Sequence, residues 1–194
     1  MEKNYKNRKT IRLQTWDYRW TGAYFITICT KNKEYYFGDI KNGRMRLSQV
    51  GVIADILWYE IKNRVKNIEL GEFVVMPNHV HGILILNEDN INIDNNVGTL
   101  GNVGTLHATS LPDKNGYMSS ISPKSHSVSN IIRSYKSAVT KHANRLGFES
   151  AWQSRFHDHI IRDEKSFDMI SDYIINNPSK WEEDKFYQKS EHKK

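Results

Sequence analysis

Two histidines separated by one residue stand in Met76-Pro77-Asn78-His79-Val80-His81-Gly82, ahead of the apolar run Ile83-Leu84-Ile85-Leu86. Pro77 and Asn78 are turn formers and the run behind them is β-forming, so the segment predicts a strand entered through a tight turn. Strand side chains alternate between faces, which puts His79 and His81 with Ile83 and Ile85, and Val80, Leu84 and Leu86 on the other side. Neutral imidazole is a common metal ligand, and a same-face pair can chelate one ion while leaving its other positions open to substrate. The plain alternative is a pair of hydrogen-bonded core histidines. With 8 His in 194 residues an H-x-H triplet arises by chance roughly a third of the time, and a second one, His157-Asp158-His159, is present. What favours a site is the free energy needed to place two polar rings on an apolar strand unless both are hydrogen-bonded or ligated.

A phenol and an amide supply what the histidine pair lacks. The stretch from Glu164 to Asn177 predicts a helix with Phe167, Ile170 and Ile174 facing inward and Pro178 ending it. Tyr173 and Asn177 are four residues apart, hence about 40° apart around an axis that turns about 100° per residue. Their side chains can address one point beside the apolar stripe. A tyrosine on a helix flank commonly does no more than pack, and the chain has 10 of them. Tyr135, the other tyrosine on a late helix, lies on an apolar stripe with Val139 four residues on, which reads as packing.

The elements that must position these groups follow from local patterns. Tyr24 to Thr30 is a strongly β-forming run. Tyr35 to Ile40 and Arg44 to Leu47 flank Lys41-Asn42-Gly43, a hairpin signal. Ser48 can cap a helix whose apolar residues Val52, Ile53, Ile56, Leu57 and Ile61 recur at helical spacing. Phe73 to Met76 predicts a short strand leading into the histidine strand. From Ser127 to Leu146 a helix carries Val128, Ile131, Ile132, Tyr135, Val139 and Leu146 on one face and Arg133, Lys136, Lys141 and Arg145 on much of the remainder, with Gly147 as its stop. Phe156 to Arg162 is strand-like.

At 194 residues and 22.7 kDa the chain suits one domain, with 38% hydrophobic residues for its core. A net charge of +6 and a pI near 9.3 favour polyanionic partners. The arm through residue 20 is rich in cations, including Lys9, Arg12 and Arg19, interleaved with Tyr5, Trp16, Tyr18 and Trp20. It reads either as a solvated tail or as a phosphate-embracing arm. The helical face of Arg133, Lys136, Lys141 and Arg145 carries the same two readings. One cysteine, Cys29, excludes an internal disulfide framework. No run approaches the roughly 18 apolar residues of a membrane span, and the polar start lacks a signal-peptide core, so a cytoplasmic protein is expected. Residues 87–127 are mostly Asn, Gly, Ser, Thr and Asp, with a near-tandem repeat, Asn96-Val97-Gly98-Thr99-Leu100 and Asn102-Val103-Gly104-Thr105-Leu106. That composition predicts a disordered insertion in a domain spanning residues 1–181, followed by a charged tail at 182–194.

Taken together, Pro-Asn-His-Val-His-Gly and its apolar strand, Trp152-Gln153-Ser154-Arg155-Phe156, His159-Ile160-Ile161-Arg162 and Asp172-Tyr173-Ile174-Ile175-Asn176-Asn177-Pro178 resemble the single-tyrosine HUH transposases. Within these the chain is most similar to the REP-associated tyrosine transposases, over about Thr21 to Trp181 apart from the insertion. The resemblance implies that His79 and His81 are metal ligands, Asn177 the third ligand and Tyr173 the nucleophile, with Mg2+ or Mn2+ as the ion. It gives His157-Asp158-His159 no HUH role. It also implies an α+β, ferredoxin-like fold, an antiparallel sheet with helices packed on one face, the histidine strand central and the tyrosine helix across it. The implied partner is single-stranded or hairpin DNA such as palindromic repeats, acted on by a monomer or a homodimer. The implied reaction makes a 5′-phosphotyrosine and a free 3′-OH, and a second 3′-OH can displace the tyrosine without a nucleotide cofactor. Two other classes compete. A ferredoxin-like RNA-binding module explains charge and fold but leaves the histidine pair without a purpose, and no RNP1 pattern is present. A replication-initiator or relaxase nickase shares the chemistry but commonly carries further domains.

Overall fold

The computed structural model describes residues 21–87 and 127–188. The basic arm with Lys9, Arg12 and Arg19 and nearly all of the expected insertion lie outside the described residues. Among the described residues six strands and four helices follow in the order β1 (Gly22–Cys29), β2 (Gly38–Lys41), β3 (Arg44–Leu47), α1 (Gln49–Tyr59), α2 (Ile61–Arg64), β4 (Ile68–Met76), β5 (His79–Leu86), α3 (Val128–Arg145), β6 (His157–Ile161) and α4 (Glu164–Asn176), with 3-10 turns at Lys31–Lys33 and Pro178–Glu183. The main sheet is antiparallel with strand order β4-β5-β1-β6, while β2 and β3 form a separate hairpin. With α1 between its first two strands and α3 between its last two, the main sheet has the βαββαβ arrangement of ferredoxin-like folds.

Local chemistry explains the element ends. Asn42 (φ 52°) and Gly43 (φ 68°) both take the left-handed backbone that a two-residue hairpin turn needs. Ser48 caps α1, its hydroxyl accepting from Gly51 N at 3.1 Å. Pro77 and Asn78 close a two-residue turn between the paired residues Met76 and His79, as the sequence suggests.

β5 is central, flanked by β4 and β1, and its two faces are both buried. Val80, Leu84 and Leu86 join Tyr24, Ile26 and Ile28 beneath α1 and α3, whose Val128, Ile131, Ile132, Tyr135 and Val139 complete the main core. Ile83 on the opposite face packs with Ile161 and with Ile174, Phe167 and Ile170 of α4. The sheet is therefore covered by helices on both faces rather than on one. The physical reason is that β5 is apolar at both parities, so each face needs its own cover.

The buried face of α1 also differs from the expected stripe. Val52 and Ile56 are exposed, and Val50, Gly51, Ala54 and Trp58 point inward. Small residues let the helix approach the sheet, and Trp58 fills the space above Gly82 and stacks on Phe73 with ring centroids 4.4 Å apart. A Cβ at Gly82 would lie 2.3 Å from the Trp58 ring. Gly82→Ala is therefore expected to overpack the core and destabilise by about 3 kcal/mol, roughly 6–12 °C in Tm, which a thermal melt would register.

Candidate functional site

Strand alternation brings His79 and His81 to the face that α4 crosses, and both side chains are fully buried. Their Nε2 atoms are 3.0 Å apart. Two ligand atoms set at right angles about 2.1 Å from one ion are about 3 Å apart, so the spacing fits shared ligation. The groups behind the rings set their orientation. Asn78 Nδ2 donates to the carbonyls of Phe186 (2.9 Å) and Lys33 (3.3 Å), which turns its Oδ1 to His79 Nδ1 at 2.8 Å. His79 thus carries its proton on Nδ1 and presents a bare Nε2, the arrangement found behind metal-bound imidazoles. His81 Nδ1 lies 2.9 Å from the Thr27 hydroxyl on β1. Asn78 serves here as more than the turn residue its dipeptide suggests.

The Phe186 ring lies 4.5 Å from that of His79, and Trp181 5.9 Å. Such burial holds His79 well below its ordinary value, and burial also pushes His81 down to about 3. Both rings are neutral at pH 7, the form that ligates a metal. The linkage has a definite sign. An unfolded His81 takes up a proton near pH 6.5 and the folded one only near 3, so stability is full above pH 6.5 and is lost as the pH falls through this window. Chelator-treated protein is expected to lose about 2 kcal/mol through His81 between pH 6.5 and 5, with His79 acting in the same direction. Melts across this range would show a shallower slope in His81→Gln.

α4 delivers the remaining groups. Tyr173 Oη lies 3.2 Å from His81 Nε2 and 3.0 Å from Asp184 Oδ2. Burial pushes its hydroxyl well above the ordinary phenol value, with the charge and hydrogen bond of Asp184 adding to the shift. Asn177 keeps helical dihedrals (φ −57°, ψ −43°) because Pro178 opens a new 3-10 turn. Its Nδ2 donates to Asp184 Oδ2 at 3.1 Å, and its Oδ1 is buried with no hydrogen-bond partner. A buried acceptor left unpaired is costly and is the state expected of an oxygen kept for a ligand.

Asp184 escaped the sequence reading. In Trp181-Glu182-Glu183-Asp184 it looks like part of a solvated acidic run, and residues 182–194 look like a charged tail. Instead, residues 182–188 fold over the site, because Phe186 buries its ring against the histidines and Asp184 Oδ1 accepts from Phe186 N. The aromatics at 181, 186 and 187 were the available signal that this stretch packs. Among the described residues His79, His81 and Asp184 could hold a metal ion, their ligand atoms lying within 4.8 Å of one another. A cleft of about 510 Å³ opens onto Tyr173, Asn177 and Asp184, and its further carboxylates, Asp172 and Glu183, outweigh Lys180 and favour entry of a cation.

The other expected residues are elsewhere. Arg133, Lys141 and Arg145 are exposed on α3, across the sheet from the histidines. Lys136 is not a free surface cation, since its Nζ donates to the Gln153 carbonyl and sits 5.9 Å from the Trp152 ring. Tyr135 is buried, donating to the Ala54 carbonyl at 2.9 Å, as its apolar stripe suggests. His157 and His159 are exposed on β6, at the sheet edge opposite Thr27 and Phe25.

No family model matches the chain. A protein of Haemophilus influenzae, itself described as uncharacterized, is 39% identical over 182 residues, 93% of either chain. The structure of a REP-associated tyrosine transposase bound to a REP hairpin superposes with a TM-score of 0.54 at 20% identity, covering 88% of this chain and 74% of that one. That likeness concerns the fold alone. A structure from Deinococcus radiodurans aligns with a TM-score of only 0.38 at 15% identity, over 86% of this chain and 97% of its own. Among the described residues no helix is long and apolar enough to cross a membrane.

Proposed function

We propose that this chain, which belongs to one family with the Haemophilus influenzae protein and shares the fold of the REP-associated tyrosine transposase, cleaves and rejoins single-stranded or hairpin DNA through a 5′-phosphotyrosine. The observation that carries this reading is the approach of the Tyr173 hydroxyl to within 3.2 Å of His81 Nε2 from 92 residues away in the chain, at a half-open cleft. A tyrosine that only packed would bury its hydroxyl against backbone, as Tyr135 does.

His79, His81 and the unpaired Asn177 Oδ1 are the groups that would hold Mg2+ or Mn2+. The bound ion would polarise the scissile phosphodiester and orient it for in-line displacement. Tyr173 Oη then forms the bond to phosphorus as the bond to O3′ breaks. The tyrosine proton passes to solvent, and O3′ departs as a hydroxyl after taking a proton from solvent. Because the phosphotyrosine conserves the phosphodiester linkage, a second 3′-OH can reverse the step on another strand. Asn78 and Thr27 hold the imidazoles, and Phe186 and Trp181 keep water from their flank.

Arg133, Lys141 and Arg145 would contribute phosphate contacts remote from the chemistry. A double Arg133→Ala, Lys141→Ala variant is expected to bind a hairpin oligonucleotide more weakly and to lower the slope of log affinity against log salt by roughly two, with Tyr173 still competent in saturating DNA. The direct test of the whole reading is incubation with hairpin repeats flanking the gene, with Mn2+ or with chelator. A metal-dependent nick with protein joined to the 5′ side is expected; metal-independent binding without any nick would leave a nucleic-acid-binding module instead.

A further inference from the structure

We infer that Tyr173 is latched in the ion's own place when no divalent ion is bound, and that Asp184 is both part of this latch and a ligand that exchanges the tyrosine for the ion. This rests on the metal reading above. The Tyr173 hydroxyl donates its proton to Asp184 Oδ2 at 3.0 Å and lies 3.2 Å from His81 Nε2. Those same two residues, with His79, make up the group able to hold a metal. The tyrosine and an ion therefore compete for Asp184 Oδ2 and for the place beside His81 Nε2. Asp184 Oδ2 also accepts from Asn177 Nδ2 at 3.1 Å, and Oδ1 accepts from Phe186 N at 2.6 Å. With both lone pairs of Oδ2 engaged, an ion that binds there must displace the hydroxyl or the amide. The hydroxyl is the one free to leave, because Tyr173 is 41% exposed at the cleft and Asn177 only 3%. Ion uptake and release of the nucleophile become one event, and a protein without its ion keeps the tyrosine held.

Mn2+ binding measured by electron paramagnetic resonance on the full chain, without DNA, tests this. Tyr173→Phe removes the competitor and is expected to bind Mn2+ about 3- to 10-fold more tightly. Asp184→Asn keeps the shape and is expected to bind at least about 10-fold more weakly, with recovery in Asp184→Glu. Thermal melts establish that each variant is folded. If Asp184→Asn binds like the wild type while His79→Ala loses the ion, Asp184 is no ligand and the inference fails with the metal reading intact. Unchanged or weaker binding in Tyr173→Phe would likewise overturn the latch. If the wild type itself takes up no Mn2+, both fall together.

Discussion

Tyr173→Phe is expected to yield a folded protein that binds DNA but neither nicks it nor becomes joined to it. The substitution removes one oxygen from a half-exposed ring whose edge meets Phe25, so packing is retained. The lost hydrogen bonds to Asp184 and His81 lie at the cleft, and their removal should change stability by no more than about 1 kcal/mol. Loss of the covalent step, by contrast, should be complete, since no other hydroxyl approaches the histidines among the described residues except Thr27, which already bonds His81 Nδ1 from behind. Tyr135→Phe is the matched control. Its hydroxyl is buried on the Ala54 carbonyl beneath α1, so that variant should be less stable yet still cut. Mass spectrometry of the adduct after nuclease digestion decides the matter: a nucleotide on any residue other than Tyr173 would defeat the assignment.

His79→Ala and His81→Ala should each lower cleavage by a factor on the order of 1,000 or more while sparing most of the DNA affinity, because phosphate contacts elsewhere supply binding and the ion supplies activation. Both substitutions also orphan a buried partner, the Asn78 amide or the Thr27 hydroxyl, and should cost about 1–3 kcal/mol of stability. His→Gln variants, which retain a polar group, separate that penalty from the loss of metal. Binding by fluorescence anisotropy and cleavage on the same oligonucleotide give the two readouts, and normal cutting by both Ala variants in Mg2+ or Mn2+ would reduce the pair to a structural role.

Much of this site was written in local patterns. A period of two placed His79 and His81 on one strand face, and a spacing of four placed Tyr173 and Asn177 on one helix flank, because each relation depends only on the backbone repeat of a single element. The Asn42-Gly43 turn, the Ser48 cap and the packing role of Tyr135 were legible for the same reason. What the repeat cannot specify is which element faces which. Only the tertiary structure decided that helices cover both sheet faces, that α1 turns Trp58 rather than Ile56 inward, and that α4 brings its tyrosine to the histidines. The role of Asp184 was the least legible. A carboxylate in an acidic run carries no periodic mark, and it acquires partners only when Phe186 buries itself against His79 and draws residues 182–188 across the site. Lys136 shows the converse: a helical wheel puts it among the surface cations, but an open carbonyl at Gln153, set by a distant turn of chain, pulls it in. Local repeats determine side-chain direction along an element, while long-range burial determines which of those directions meet.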